Sequence, residues 1–104
     1  MNRIAFKMQL KPGCELEYKK RHDEIWPQLK SMLKKVGIRD YAIYLDKETY
    51  LLFGVLKAND KELLERLPGT QIMQEWWVYM RDLMETNDDC SPVSSTLQEM
   101  FYLV

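Results

Sequence analysis

Ile38–Leu56, read as IRDYAIYLDKETYLLFGVL, decides the centre of the fold. Ile38–Leu45 and Tyr50–Leu56 are rich in the β-branched, aromatic and aliphatic side chains that suit a pleated, half-buried surface. Asp46-Lys47-Glu48-Thr49 between them is short and polar. Two such runs joined so closely predict an antiparallel hairpin. Strand side chains alternate in direction. Tyr41 therefore points with Ile43 and Leu45, and Tyr44 points the other way.

Outward from this hairpin the chain repeats one plan on each side. Before it, Tyr18, His22, Ile25, Leu29, Met32, Leu33 and Val36 fall at helical spacing, with Lys, Arg and Glu between them, and Gly37 closes the run. Pro27 lies inside it. A proline there removes a backbone hydrogen bond and crowds the preceding turn, which predicts a kink or break just before it, beside His22. Further back, Lys11-Pro12-Gly13 is a turn, and Arg3–Leu10 alternates Ile4, Phe6, Met8 and Leu10 against Arg3, Ala5, Lys7 and Gln9 as a half-buried strand. After the hairpin, Asn59 with Glu62 marks a helix start, Pro68-Gly69 interrupts, and Thr70 caps a second helical stretch. Its apolar side is Ile72, Met73, Trp76, Trp77, Met80, Leu83 and Met84. Asn87–Pro92 is a polar loop, and Gln98–Val104 is expected to be the last strand.

The order is strand, helix, strand, strand, helix, strand. That is the α+β, ferredoxin-like split βαβ pattern (βαββαβ), an antiparallel sheet with its helices on one face. At 104 residues a single domain over 1–104 is expected. The other sheet face has no helix left to cover it, so a homodimer is the economical expectation. A formal charge of −1 opposes self-association only weakly.

Several classes fall away. No basic block marks a nucleic-acid footprint. No run of eighteen apolar residues marks a membrane span. Met1–Phe6 lacks the h-region and cleavage site of a signal peptide, so a cytoplasmic location is expected, with Cys14 and Cys90 as free thiols. One histidine and two distant cysteines do not make a zinc site. No glycine-rich loop opens a helix after a strand, and no GxSxG elbow is present. A cofactor-free pocket remains.

His22 is the only histidine. An imidazole can give and take a proton near neutral pH, with an unperturbed pKa of about 6.5. Tyr18 lies one helical turn earlier on the same face, and Arg21, Asp23 and Glu24 bring charges that can tune the ring. A packed, hydrogen-bonded core histidine is the competing reading. Trp76 and Trp77 point about 100° apart on a helix, so one at most faces straight into the core and the other is free to wall a ligand. Tyr41 approaches Tyr18 and His22 if its face of the sheet meets the helices.

YKKRHDEIWPQL (Tyr18–Leu29), YAIYLDKETYLLF (Tyr41–Phe53), QEWWVYMRDLM (Gln74–Met84) and SPVSSTLQEMFYL (Ser91–Leu103) together resemble the L-rhamnose mutarotase family. The similarity runs from the first strand to the last. It rests on the combination of RH with IWP, the WW pair, and SPVSS before the terminal strand. The resemblance implies a dimeric α/β-barrel that interconverts the α and β anomers of L-rhamnose without a cofactor. It implies His22 as proton donor and Tyr18, Tyr41, Trp76 and Trp77 as sugar contacts. A binding module without catalysis and an oxygenase on the same fold are the rival classes, because fold does not fix function.

Overall fold

Residues Asn2–Gln9 form β1, which lies inside the sheet because it pairs on both edges. On one side it pairs antiparallel with β3 (Leu51–Ala58), in register from Asn2 opposite Ala58 to Gln9 opposite Leu51. On the other it pairs antiparallel with β4 (Ser94–Leu97), Ala5 opposite Leu97 and Met8 opposite Ser94. The hairpin partner β2 (Ile38–Leu45) completes the order β2-β3-β1-β4. This computed structural model describes residues 1–104. Its sheet order and element order are those of the ferredoxin-like α+β fold.

The alternation expected of β1 holds. Met8 and Leu10 are buried on the helix side, together with Leu52, Leu56 and Ala58 of β3. One part of the core joins Met8, Leu10 and Leu52 to Tyr18, Leu29, Trp76 and Met80. A second joins Ile38, Leu56 and Ala58 to Val36 and Leu67. The opposite face carries Tyr44 and Val55, 63% and 42% exposed.

The amphipathic stretch before β2 is two helices rather than one. α1 covers Glu15–Asp23 and α2 covers Pro27–Lys35. Pro27 is the first residue of α2, where its missing N–H is no loss. Gly37 follows α2 at φ +91°, the left-handed conformation that closes a helix. After β3 come α3 (Lys61–Arg66), a 3₁₀ turn at Leu67–Gly69, and α4 (Gln71–Met80). The cap of α3 is Asp60, not Asn59: its carboxylate accepts from the N–H of Glu62 at 2.9 Å and of Leu63 at 3.3 Å. Thr70 holds the position before α4, but its hydroxyl donates back to the Leu67 carbonyl at 2.7 Å instead of capping α4.

The last strand also differs from expectation. It is Ser94–Leu97, while Gln98–Val104 pairs with no strand. The apolar residues Met100, Phe101 and Leu103 made the tail look strand-like, yet register on β1 is taken by the polar Ser94-Ser95-Thr96 that precede them. The tail is tied down instead by Arg3, which donates to Glu99 at 2.8 Å and lies over the Tyr102 ring at 3.4 Å.

Gly54 is required by close packing. A β-carbon there would lie 2.8 Å from the Cε atoms of the Phe6 ring. Gly54→Ala should lower stability by about 1–3 kcal/mol, as overpacking does. The measurement is urea unfolding, with a lower midpoint at unchanged slope.

Candidate active site

His22 sits in the last turn of α1, four residues after Tyr18, and its Nδ1 lies 3.0 Å from the Tyr18 carbonyl oxygen. A carbonyl only accepts, so Nδ1 carries the proton and donates it. In the neutral ring the lone pair is then on Nε2. The Tyr18 ring stacks on the imidazole at 4.3 Å and 29°, and Trp76 meets it edge-on at 5.4 Å and 90°. Burial pushes the His22 pKa below 6.5, opposed by the bond to the Tyr18 carbonyl and the charge of Asp23. The ring is therefore mainly neutral at pH 7. Among the charges next to it in sequence, Asp23 acts on the ring, whereas the Arg21 guanidinium is engaged with Glu17 and Asp82.

Tyr18 comes from α1 and is buried; Tyr41 comes from β2, is 38% exposed and tilts against Phe6 at 6.2 Å between ring centres. Tyr41 thus lies on the helix side with Ile43 and Leu45, which pack against the core. Burial raises the Tyr41 phenol to about 12. It raises the Tyr18 phenol further, with Tyr41 near enough to disfavour its ionised form too. Both hydroxyls stay protonated at neutral pH, so they serve as hydrogen-bond donors or acceptors and not as resting bases.

Trp76 and Trp77 come from α4. Trp76 is 5% exposed, while Trp77 is half-buried. All five residues singled out in the sequence, Tyr18, His22, Tyr41, Trp76 and Trp77, line one large open cleft between sheet and helices. Tyr18, His22 and Trp76 are in direct ring contact there. No three His, Cys, Asp or Glu side chains are grouped so as to hold a metal ion.

Sequence reasoning missed the support behind this wall. Trp26 packs edge-on against Trp76 at 5.1 Å and 89°, and Tyr79 lies 5.3 Å from Trp26 and 5.6 Å from Trp76. Arg21 covers Tyr79 at 4.6 Å. Its guanidinium donates to both Asp82 oxygens at 2.9 and 3.2 Å, to the Tyr79 carbonyl at 2.7 Å and to Glu17 at 2.8 Å. This clamp ties the end of α1 to the end of α4. The available signal was helical spacing: Tyr79 stands three residues after Trp76, and Asp82 three after Tyr79.

A family model described as L-rhamnose mutarotase matches residues 3–103. The chain belongs to the L-rhamnose mutarotase family. An L-rhamnose mutarotase of Mesorhizobium japonicum is 54% identical over 101 residues, 97% of this chain and 96% of that protein. One of Bacteroides thetaiotaomicron is 53% identical over 103 residues, 99% of each. The crystal structure of an L-rhamnose mutarotase from Formosa agariphila, 42% identical, superposes with a TM-score of 0.93 over the whole of both chains.

The unequal burial of Trp76 and Trp77 has a measurable consequence. Trp76→Ala should cost roughly 3–5 kcal/mol, as for a buried aromatic, and Trp77→Ala clearly less. Denaturant unfolding of the two variants compares them directly.

Proposed function

We propose that this chain interconverts the α and β anomers of L-rhamnose, with His22 as the proton donor and Tyr18, Tyr41, Trp76 and Trp77 holding the sugar. The names of its relatives support the substrate. The observation that carries the chemistry is the bond from His22 Nδ1–H to the Tyr18 carbonyl, because it leaves Nε2 as the nitrogen free to exchange a proton.

Opening the pyranose breaks the bond between the anomeric carbon and the ring oxygen. The ring oxygen gains a proton, the anomeric hydroxyl loses one, and the anomeric carbon becomes a carbonyl. A neutral His22 has no spare proton on Nε2, so Nε2 first takes one from the anomeric hydroxyl and then donates it to the ring oxygen. Both oxygens are bonded to the same carbon, which puts them within reach of one nitrogen. The phenols of Tyr18 and Tyr41 hydrogen-bond the sugar, and an indole face of the tryptophan wall covers its C–H side. Rotation about the bond to the freed carbonyl lets the hydroxyl re-add from the opposite face, with the proton moves reversed. General acid–base help of this kind supplies about 10²–10⁴-fold, and no covalent or metal intermediate is needed.

The same reading treats residues 1–104 as one domain, cytoplasmic and cofactor-free, acting as a homodimer. The uncovered sheet face and the exposed Met100, Phe101 and Leu103 support association, which light scattering at micromolar concentration tests.

Saturation-transfer NMR on rhamnose anomers is the direct assay. His22→Ala should stay folded and lose about 10²–10⁴ in kcat; exchange at the wild-type rate would return His22 to a packing role. Tyr18→Phe should cost less, and Trp77→Ala should mainly raise KM. Chelation and dialysis should leave the rate unchanged.

The pH dependence follows from the direction of the His22 shift. The neutral ring is the resting form, so kcat/KM should rise with pH through a midpoint below about 6.5 and then level off. Stability follows the same sign. The folded state disfavours the protonated ring, so the contribution of His22 is present above about 6.5 and is lost as pH falls through its folded value. A midpoint above 6.5 in the NMR rate profile would contradict this assignment.

A further inference from the structure

The geometry points to Asp40 as the positioning residue that aims Tyr41 into the cleft, through a one-residue bulge in β2. The inference rests on the reading of Tyr41 as a sugar contact.

β2 and β3 pair in one register at Ile38 opposite Ala58 and Arg39 opposite Lys57. They resume one residue out of step, Ala42 opposite Val55 and Ile43 opposite Gly54. Asp40 and Tyr41 therefore share the single place opposite Leu56. Asp40 has φ +52°, the left-handed conformation normally left to glycine at the first position of such a bulge.

The bulge changes parity. Ile38 is buried on the helix side, 6% exposed, beside Ala58. In an unbroken strand an even-numbered Ile38 and an odd-numbered Tyr41 would face opposite sides. Both face the helices here because the extra residue is absorbed at Asp40. Ile38 keeps its place in the core, and Tyr41, Ile43 and Leu45 all keep theirs. A strand unable to form the bulge must slip, which turns either Ile38 or the Tyr41 set outward.

Two roles for Asp40 are separable. Its carboxylate also meets the Lys57 ammonium at 3.4 Å, an exposed pair. If that charge were what matters, Asp40→Asn and Asp40→Gly would be as damaging as any other change. If the left-handed backbone matters, glycine and asparagine adopt it readily, alanine less so, and a β-branched valine least.

The test is a series of Asp40→Gly, Asp40→Asn, Asp40→Ala and Asp40→Val, with Tyr41→Phe and the double variant Asp40→Val/Tyr41→Phe. KM for L-rhamnose and the NOE between the Phe6 and Tyr41 rings are measured well below each melting temperature. Glycine and asparagine should keep both near wild type, and Asp40→Gly should melt no lower than wild type. KM should rise through alanine to about 10-fold in valine, the size expected for one lost hydrogen bond. The ring NOE should fade in the same order. The double variant should be no worse than its worse parent, because a misplaced tyrosine has no hydroxyl contact left to lose. If Asp40→Val does not fold, the order of glycine, asparagine and alanine decides. Asparagine and glycine variants as impaired as valine would overturn the proposal, and so would an unchanged ring NOE in the alanine and valine variants. A silent Tyr41→Phe alongside an NOE that fades in the expected order would instead remove Tyr41 from the sugar site while leaving the bulge as what places it.

Discussion

Pro27 has no N–H to donate, and the residue before a proline is kept out of the helical region. Trp26 accordingly stands at φ −58°, ψ 132°, and the chain breaks between α1 and α2. Most of the cleft wall depends on that break. It ends α1 at Asp23, so that His22 lies in the final turn, where a helix C-terminus favours positive charge. It releases Trp26 to pack on Trp76 and Tyr79. Arg21 can then clamp the loose end of α1 to Asp82. A continuous helix would have carried Trp26 round with the helical period and left no gap at His22.

Opposing effects act on the imidazole, and their balance sets its state. Burial favours the neutral ring, while the Tyr18 carbonyl and Asp23 favour the charged one. Burial wins, so the proton on Nδ1 is held by a neutral hydrogen bond worth about 0.5–1.5 kcal/mol. A carboxylate on Nδ1 would favour the charged ring more strongly than a carbonyl does and raise its pKa. The Arg21 network shows the contrast. It gathers charge-assisted bonds about twice as strong as neutral ones, and these join α1 to the end of α4 instead of reaching the imidazole.

Much of this was legible in the sequence, for physical reasons that differ by element. Arg3–Leu10 and the Ile38–Leu56 hairpin carry a strong period of two, and turn residues bound them, so strand type and order followed directly. His22 and the Trp76–Trp77 pair stand out because this chain has one histidine and one tryptophan pair. Tyr18 is marked by its place one turn before His22, Tyr41 by its strand face, and the sugar-contact roles come from the family resemblance. What was not legible depended on tertiary choice. Asn59 and Asp60 are both good caps, and only the backbone path selects Asp60. Ser94-Ser95-Thr96 is less apolar than the tail, but it is the segment that reaches the free edge of β1. The pairing of Trp26 with Tyr79 was not legible, because it joins elements far apart in sequence.

Both walls of the cleft are built where a regular element is interrupted. On one wall a proline breaks the helix just after His22; on the other a residue at positive φ interrupts the ladder just before Tyr41. Uninterrupted elements would have met the core's demands with simpler patterns, a straight amphipathic helix and a strand of unbroken alternation. The interruptions free side chains from those periods: Tyr41 faces the helices despite Ile38, and His22 stands at an end instead of in mid-helix. A non-glycine residue at positive φ such as Asp40 carries a local cost, whereas Pro27 at the start of α2 carries little. Two unrelated breaks whose freed side chains meet in one cleft are therefore stronger support for a functional site there than any one residue in it.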